Sequence, residues 1–178
     1  MICFDTCVLI WGIQDSGNPS TEDPDVLRTR EYIKQLAEKR ETILIPTPAI
    51  AEYLVRIPAT DHHIEIEKFR RFFQIQTLND QAVSIAADLQ SRRGFKTITE
   101  KYAKDTGVPN NIARPLVKID ALILGIAIAN KATHIVTNDT KHMEALAHGR
   151  IKVIEVPSVD VQNELVQAGE GQYIGGWK

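Results

Sequence analysis

The chain has 178 residues, of which 43% are hydrophobic and 25% charged, with a formal net charge of −2, an ordinary balance for a single folded domain. That charge excludes a global attraction for nucleic acid or membrane, so any polyanion binding has to be local. The longest strongly apolar stretch, Ala121 to Ala129, falls well short of the roughly 20 residues needed to cross a bilayer, and no leader pattern precedes a small-residue cleavage site, which points to a cytoplasmic protein.

The chain opens with MICFDTCVLIW, in which Asp5 stands among Ile2, Cys3, Phe4, Cys7, Val8, Leu9, Ile10 and Trp11. Such a run reads as a segment buried on more than one side, where a carboxylate without a partner is expensive. Cys3 and Cys7 are the only cysteines; in an extended segment they stand too far apart for a disulfide, so two buried free thiols are expected. A polar loop from Gln14 to Pro24 follows, then a helix capped by Asp23 with Pro24 at its first position, running to Glu38-Lys39-Arg40.

Thr42 to Ile45 is a short β-branched strand. Thr47 and Pro48 are read as cap and first residue of a helix, AIAEYLVRI, that Pro58 stops and that contains Glu52. His63 to Phe72 is an amphipathic helix, Gln74 to Leu78 a strand, and Asn79 or Asp80 caps the helix QAVSIAADLQSRR. Gly94 to Arg114 reads as a long excursion holding a short helix. Pro115 is expected to open a helix through Lys131 that is apolar on nearly every side, the mark of a buried central helix. Thr133 to Thr137 is a strand, His142 to Ala147 a short helix and Ile151 to Val156 a strand, while the tail from Gly169 with its four glycines is expected to be loosely ordered.

Strands alternating with helices define an α/β fold with a largely parallel sheet. Ligands in such sheets bind beyond the carboxyl ends of the strands, and that rule selects Asp5 and Asp139. Two further acids are out of place: Glu52 interrupts AIAEYL and Asp120 interrupts LVKIDALILGIA. Taken singly, each has a plain alternative. Glu52 fits the solvent face of its helix, Asp139 a strand-to-helix cap, and Asp120 a hydrogen-bonded core acid or a first-turn acid favoured by the helix dipole. Taken together, four acids converging on one cleft would repel one another, and a hard divalent cation with oxygen ligands is the natural remedy.

The order and context of these acids resemble a known family. A strand ending in Asp-Thr in FDTCVLI, a proline-led helix with Glu in PTPAIAEYL, and an Asp on a buried helix leading to Thr-Asn-Asp in KIDALILGIAIANKATHIVTND look like a PIN-domain ribonuclease, similar to the VapC toxins of toxin–antitoxin pairs. The resemblance spans about residues 1–157, with 158–178 as a partly flexible extension of the same domain. It implies a PIN-like three-layer sandwich, with a central, mostly parallel sheet flanked by helices. It also implies Mg²⁺ or Mn²⁺ held by Asp5, Glu52, Asp120 and Asp139 for RNA phosphodiester hydrolysis. Thr6, and Thr137 or Asn138, would support the acids through hydroxyl or amide hydrogen bonds. Thr6 also implies that the strand ends near Asp5 and that Cys7 to Trp11 turn into a helix. A cognate antitoxin and homodimerisation are implied as well. The extra length in 14–24 and 92–114 departs from compact toxins, and Thr-Lys-His after Asp139 lacks the further acid of some relatives, which leaves one ion or two open.

Arg92, Arg93, Lys96, Lys101 and Lys104 form a basic region, read either as a solvated face or as phosphate contacts for RNA. The five histidines show no recurring ligand spacing and are read as surface or core residues. No dinucleotide or phosphate-loop glycine motif occurs. A haloacid dehalogenase type of phosphatase needs a second Asp two residues after the first, where Cys7 stands. A non-catalytic RNA- or protein-binding module of the same fold remains the alternative, although a binding surface has no need of carboxylates in its core.

Overall fold

The computed structural model describes residues 1–14 and 23–158, so most of the expected 14–24 loop and the expected C-terminal extension lie outside the described residues. Strand β1 (Ile2–Phe4) is buried along its whole length and stops before Asp5, which caps helix α1 (Thr6–Ile13) by accepting the Thr6 N–H. The hydrophobic run is thus a strand and a helix joined at one carboxylate. Cys3 and Cys7 are both free thiols.

Helix α2 (Pro24–Glu38) is capped by the Asp23 carboxylate and opens on Pro24, which supplies no N–H where none is needed. Strand β2 (Ile43–Pro46) runs directly into α3 (Thr47–Leu54), whose cap is Pro46 with no side-chain hydrogen bond, so Thr47 is a helical residue and not the cap. Helix α4 (His62–Phe72) leads to a strand β3 limited to Gln74–Gln76, and Asn79 caps α5 (Asp80–Ser91) by accepting the Ala82 N–H.

The segment expected as an excursion is helical almost throughout: α6 (Phe95–Thr106) is followed by α7 (Asn110–Ala129). Gly107, in the left-handed region at φ 74°, ends the first, a conformation glycine takes without a Cβ clash. Pro115 lies inside α7 and does not open it. The missing N–H leaves the Asn111 carbonyl without its helical donor, and both residues are exposed, so water can satisfy it. Strand β4 (His134–Val136), α8 (Thr140–Ala147) and β5 (Lys152–Ile154) complete the described chain.

All five strands are parallel, in the order β3-β2-β1-β4-β5, and with the surrounding helices they give the α/β sandwich expected from the sequence. From central β1 the chain steps outward through β2 and β3, then crosses to β4 and β5 on the other side. The β1/β4 boundary is therefore the switch point at which crevices form beyond the strand ends. Ile2, Cys3 and Phe4 pair with His134, Ile135 and Val136, so the backbone leaving Phe4 and the backbone leaving Val136 emerge side by side.

Helix α7 packs on β2, β4, α3 and α5 and buries Val117, Ala121, Ile123, Leu124, Ile126 and Ala127. Its approach to α5 depends on Gly125, where a Cβ would stand 2.5 Å from the Ala82 carbonyl oxygen and 3.1 Å from the Ala86 Cβ. Backbone cannot swing aside as a side chain can. Gly125→Ala is expected to destabilise the protein by about 1–3 kcal/mol through overpacking, read as a lower denaturant midpoint at unchanged slope.

Candidate active site

Asp5 is 8% exposed at the end of β1. Its Oδ1 accepts the Thr6 N–H at 2.7 Å, and its Oδ2 accepts the Thr137 hydroxyl at 2.7 Å and the Cys7 thiol at 3.7 Å. Thr137, fully buried just past β4, also accepts the Asp139 N–H at 3.1 Å. One hydroxyl thus ties together the loops leaving both central strands.

The other acids enter from three helices. Glu52 on α3 is half-buried and accepts the Thr6 hydroxyl. Asp120 on α7 is 21% exposed at its side chain, with Oδ2 3.1 Å from the His142 Nε2. Asp139 is exposed and caps α8, its Oδ1 accepting the His142 N–H at 3.4 Å.

The four acids share one electrostatic environment. Burial first, and then the charge of Asp120, push the Asp5 carboxyl up to about 6, against the lowering effect of its hydrogen bonds. Burial also raises Glu52, with Asp5 adding to the effect and the Thr6 hydroxyl opposing it. Asp120 is raised by burial, eased by the hydrogen bond and charge of His142, and pushed up again by Glu52 and Asp139. Asp120 is thus coupled to each of the other three acids. Raised carboxyls with like-charge neighbours are the usual mark of a site that needs a counter-charge.

Among the described residues, no group of three carboxylate, thiol or imidazole side chains is placed to hold a metal ion as the side chains stand. The donor set nonetheless fits one by its chemistry: Asp5, Glu52, Asp120 and Asp139 offer only oxygen, the preference of Mg²⁺ and Mn²⁺. A cation would also relieve the repulsion that raises Asp5. Beside the acids, Pro48, Ala51, Glu52, Val55 and Ile119 line an apolar cleft of about 320 Å³.

The supporting residues divide. Thr6 holds Glu52 and Thr137 holds Asp5, each through its hydroxyl. Exposed Asn138 takes part through its backbone instead, donating its N–H to the Cys7 sulfur at 3.2 Å. Burial, then the charge of Asp5, raises the Cys7 thiol to about 12, which favours the thiol form that donates to Asp5 and accepts from Asn138. Of the basic region, Arg92 pairs with Asp88 at 2.9 Å and Lys96 with Glu100 at 3.7 Å. Arg93, Lys101 and Lys104 are exposed without a carboxylate partner among the described residues.

Two residues at the site escape a reading of the sequence. His142 sits in no ligand spacing, and nothing local marks Tyr102. Their rings pack with centroids 4.6 Å apart, and the Tyr102 hydroxyl is raised by burial and by the charges of all four acids. The local signal for His142 is its place three residues after a capping Asp, where its N–H meets the cap carboxylate.

Four carboxylates are thus gathered at the switch point of a parallel α/β sheet, beyond its strand ends. The PIN domain family model matches residues 2–148, and the chain belongs to this family. PIN domains are generally nucleases and typically use divalent metal ions. The fold is similar to a chain of VapBC2 from Rickettsia felis, solved bound to a DNA fragment from their promoter. That match has a TM-score of 0.52 and 19% identity, covering 87% of this chain and 98% of that one. It is likewise similar to a chain of DNA-bound VapBC from Salmonella typhimurium, with a TM-score of 0.52 and 14% identity, covering 88% and 98%. No curated protein matches the chain. Among the described residues, no helix is long and apolar enough to cross a membrane.

Proposed function

We propose that this PIN domain is a metal-dependent endoribonuclease that hydrolyses RNA phosphodiester bonds and acts as the toxin of a toxin–antitoxin pair. The observation that carries the reading is the mutual coupling of Asp5, Glu52, Asp120 and Asp139 at the β1/β4 switch point. Asp5, Asp120 and Asp139, with Glu52, would hold Mg²⁺ or Mn²⁺; when bound, the cation activates water and neutralises charge on the scissile phosphate. Thr137 fixes Asp5 and Thr6 fixes Glu52 through their hydroxyls, so the acids are oriented before substrate arrives. The likeness to VapBC chains supports an antitoxin partner; its proposed seat over the cleft and the proposed homodimer of the free form rest on the family resemblance alone.

The test is cleavage of a structured RNA by the purified protein with Mg²⁺ or Mn²⁺. Activity is expected with either ion and is expected to vanish in excess chelator. Cleavage that survives the chelator would overturn the metal role, and metal-dependent RNA binding without cleavage would favour the non-catalytic module.

The α6 face supplies a second check. Tyr102 brings α6 to the rim of the acids, and Lys101 and Lys104, both exposed on that helix and three residues apart on one face, are proposed as phosphate contacts. Replacing both with Ala is expected to weaken binding to single-stranded RNA and to lower its log–log salt slope by about 1.4. Arg92→Ala is expected to do little, because Arg92 is already paired with Asp88. An unchanged slope in the double variant would move the RNA path elsewhere.

A further inference from the structure

Asp120 stands on a helix that offers it almost no polar company, and its orientation depends on another element. Its Oδ2 meets the His142 Nε2 at 3.1 Å, and that imidazole is only 8% exposed. The ring is wedged against Tyr102, centroids 4.6 Å apart and planes at 51°. The His142 backbone N–H meanwhile donates to Asp139 Oδ1 at 3.4 Å. A single residue therefore touches two of the four acids, one through its ring and the other through its backbone. It does so where α6, α7 and α8 meet. The Asp120 Oδ1 accepts no hydrogen bond among the described residues, so the imidazole occupies one carboxylate oxygen and leaves the other open.

We propose that His142, braced by the Tyr102 ring, is a positioning residue that holds Asp120 at a fixed rotamer and spacing from Asp139 for the divalent cation. This rests on the metal-dependent reading above. A carboxylate already held by a neighbouring side chain has less rotational freedom left to lose, which lowers the entropy lost when it takes up a cation. Tyr102 acts at one remove, since a ring packed on the imidazole restrains the imidazole.

The test is direct titration of Mn²⁺ into the apo protein, at one fixed neutral pH, with thermal melts of the same samples. His142→Ala is expected to weaken Mn²⁺ binding by roughly 10–100-fold, the usual penalty for losing a partner behind a metal ligand. His142→Gln, which can return an N–H near the same place, is expected to regain most of the affinity. Tyr102→Phe should match wild type, and Tyr102→Ala should fall between wild type and His142→Ala. RNA cleavage by His142→Ala is expected to recover as Mn²⁺ is raised, so the loss sits in metal occupancy.

A lowered melting temperature with unchanged Mn²⁺ affinity in His142→Ala would overturn the proposal and leave a purely structural contact. If that variant does not fold, Tyr102→Ala on the other helix decides: wild-type affinity there overturns the proposal, and an intermediate loss supports it. Wild-type protein that takes up no Mn²⁺ would overturn the metal reading itself and this inference with it. Wild-type binding beside an unaffected His142→Ala overturns this inference alone.

Discussion

Asp5→Asn and Asp120→Asn are each expected to yield a folded protein whose RNA cleavage is lower by about a thousandfold. The magnitude follows from the charge stabilisation that a bound cation supplies, several kcal/mol, at about 1.4 kcal/mol for each factor of ten. Both substitutions are nearly isosteric, and each keeps one of the two acceptor oxygens. Asn caps a helix about as well as Asp, so α1 retains the bond that Asp5 makes to the Thr6 N–H. In Asp120→Asn the amide oxygen can still face the His142 Nε2. What each variant loses is the negative charge and, on the proposed function, the hold on the cation. Cleavage measured under single-turnover conditions, beside a melting curve for each variant, separates lost chemistry from lost fold. Rates within tenfold of wild type would remove these acids from the active site.

Much of this arrangement could be read from the chain, and the physical reasons differ from place to place. Asp5 was visible because a charge inside an apolar run has to be accounted for, and strand-end geometry said where it would emerge. Asp23-Pro24 and Asn79 were visible because capping is local chemistry, confined to one turn. Pro115 misled because proline suits a helix start; its place inside α7 is tolerated through exposed Asn111 and water, which no pattern of apolar residues encodes. Thr47 misled for a related reason. Strand β2 feeds straight into α3, so Pro46 holds the cap position without a side-chain bond.

The partner that fixes Asp5 at the end of β1 lies 132 residues away, at Thr137. It was reachable only through the resemblance, because local spacing cannot reveal which strand ends are neighbours. His142 and Tyr102 were out of reach altogether. Their contact with each other, and the 22-residue step from Asp120 to His142, arise from the docking of α6 and α8 on α7.

In metal-free solution the same Asp5→Asn substitution is expected to stabilise the protein, with a gain that depends on pH. The Asp5 carboxyl ordinarily titrates at 3.8 and is raised to about 6 in the fold, first by burial and then by Asp120. A folded-state value above the unfolded one means that the native protein binds the proton more tightly. Ionisation therefore opposes folding, by about 3 kcal/mol once complete. Below pH 3.8 both states are protonated and wild type carries no such penalty. As pH rises from 3.8 to about 6 the penalty develops, and above that it is constant.

Asn never ionises, so its advantage over wild type opens across that window and levels off at neutral pH. It is offset by about 1 kcal/mol, because the amide nitrogen cannot accept the Thr137 hydroxyl as Oδ2 does. A net gain of roughly 1–2 kcal/mol at neutral pH is a rise of several degrees in melting temperature for a chain of this size. Mg²⁺ should reverse the order. At a hundredfold excess over its dissociation constant it would stabilise wild type by about 2.7 kcal/mol and leave Asp5→Asn almost unmoved. Denaturant melts of both proteins, in chelator and in Mg²⁺ across the acid range, read the two effects separately. A wild-type advantage at every pH in chelator would mean that Asp5 is held by its hydrogen bonds and not strained by its neighbours.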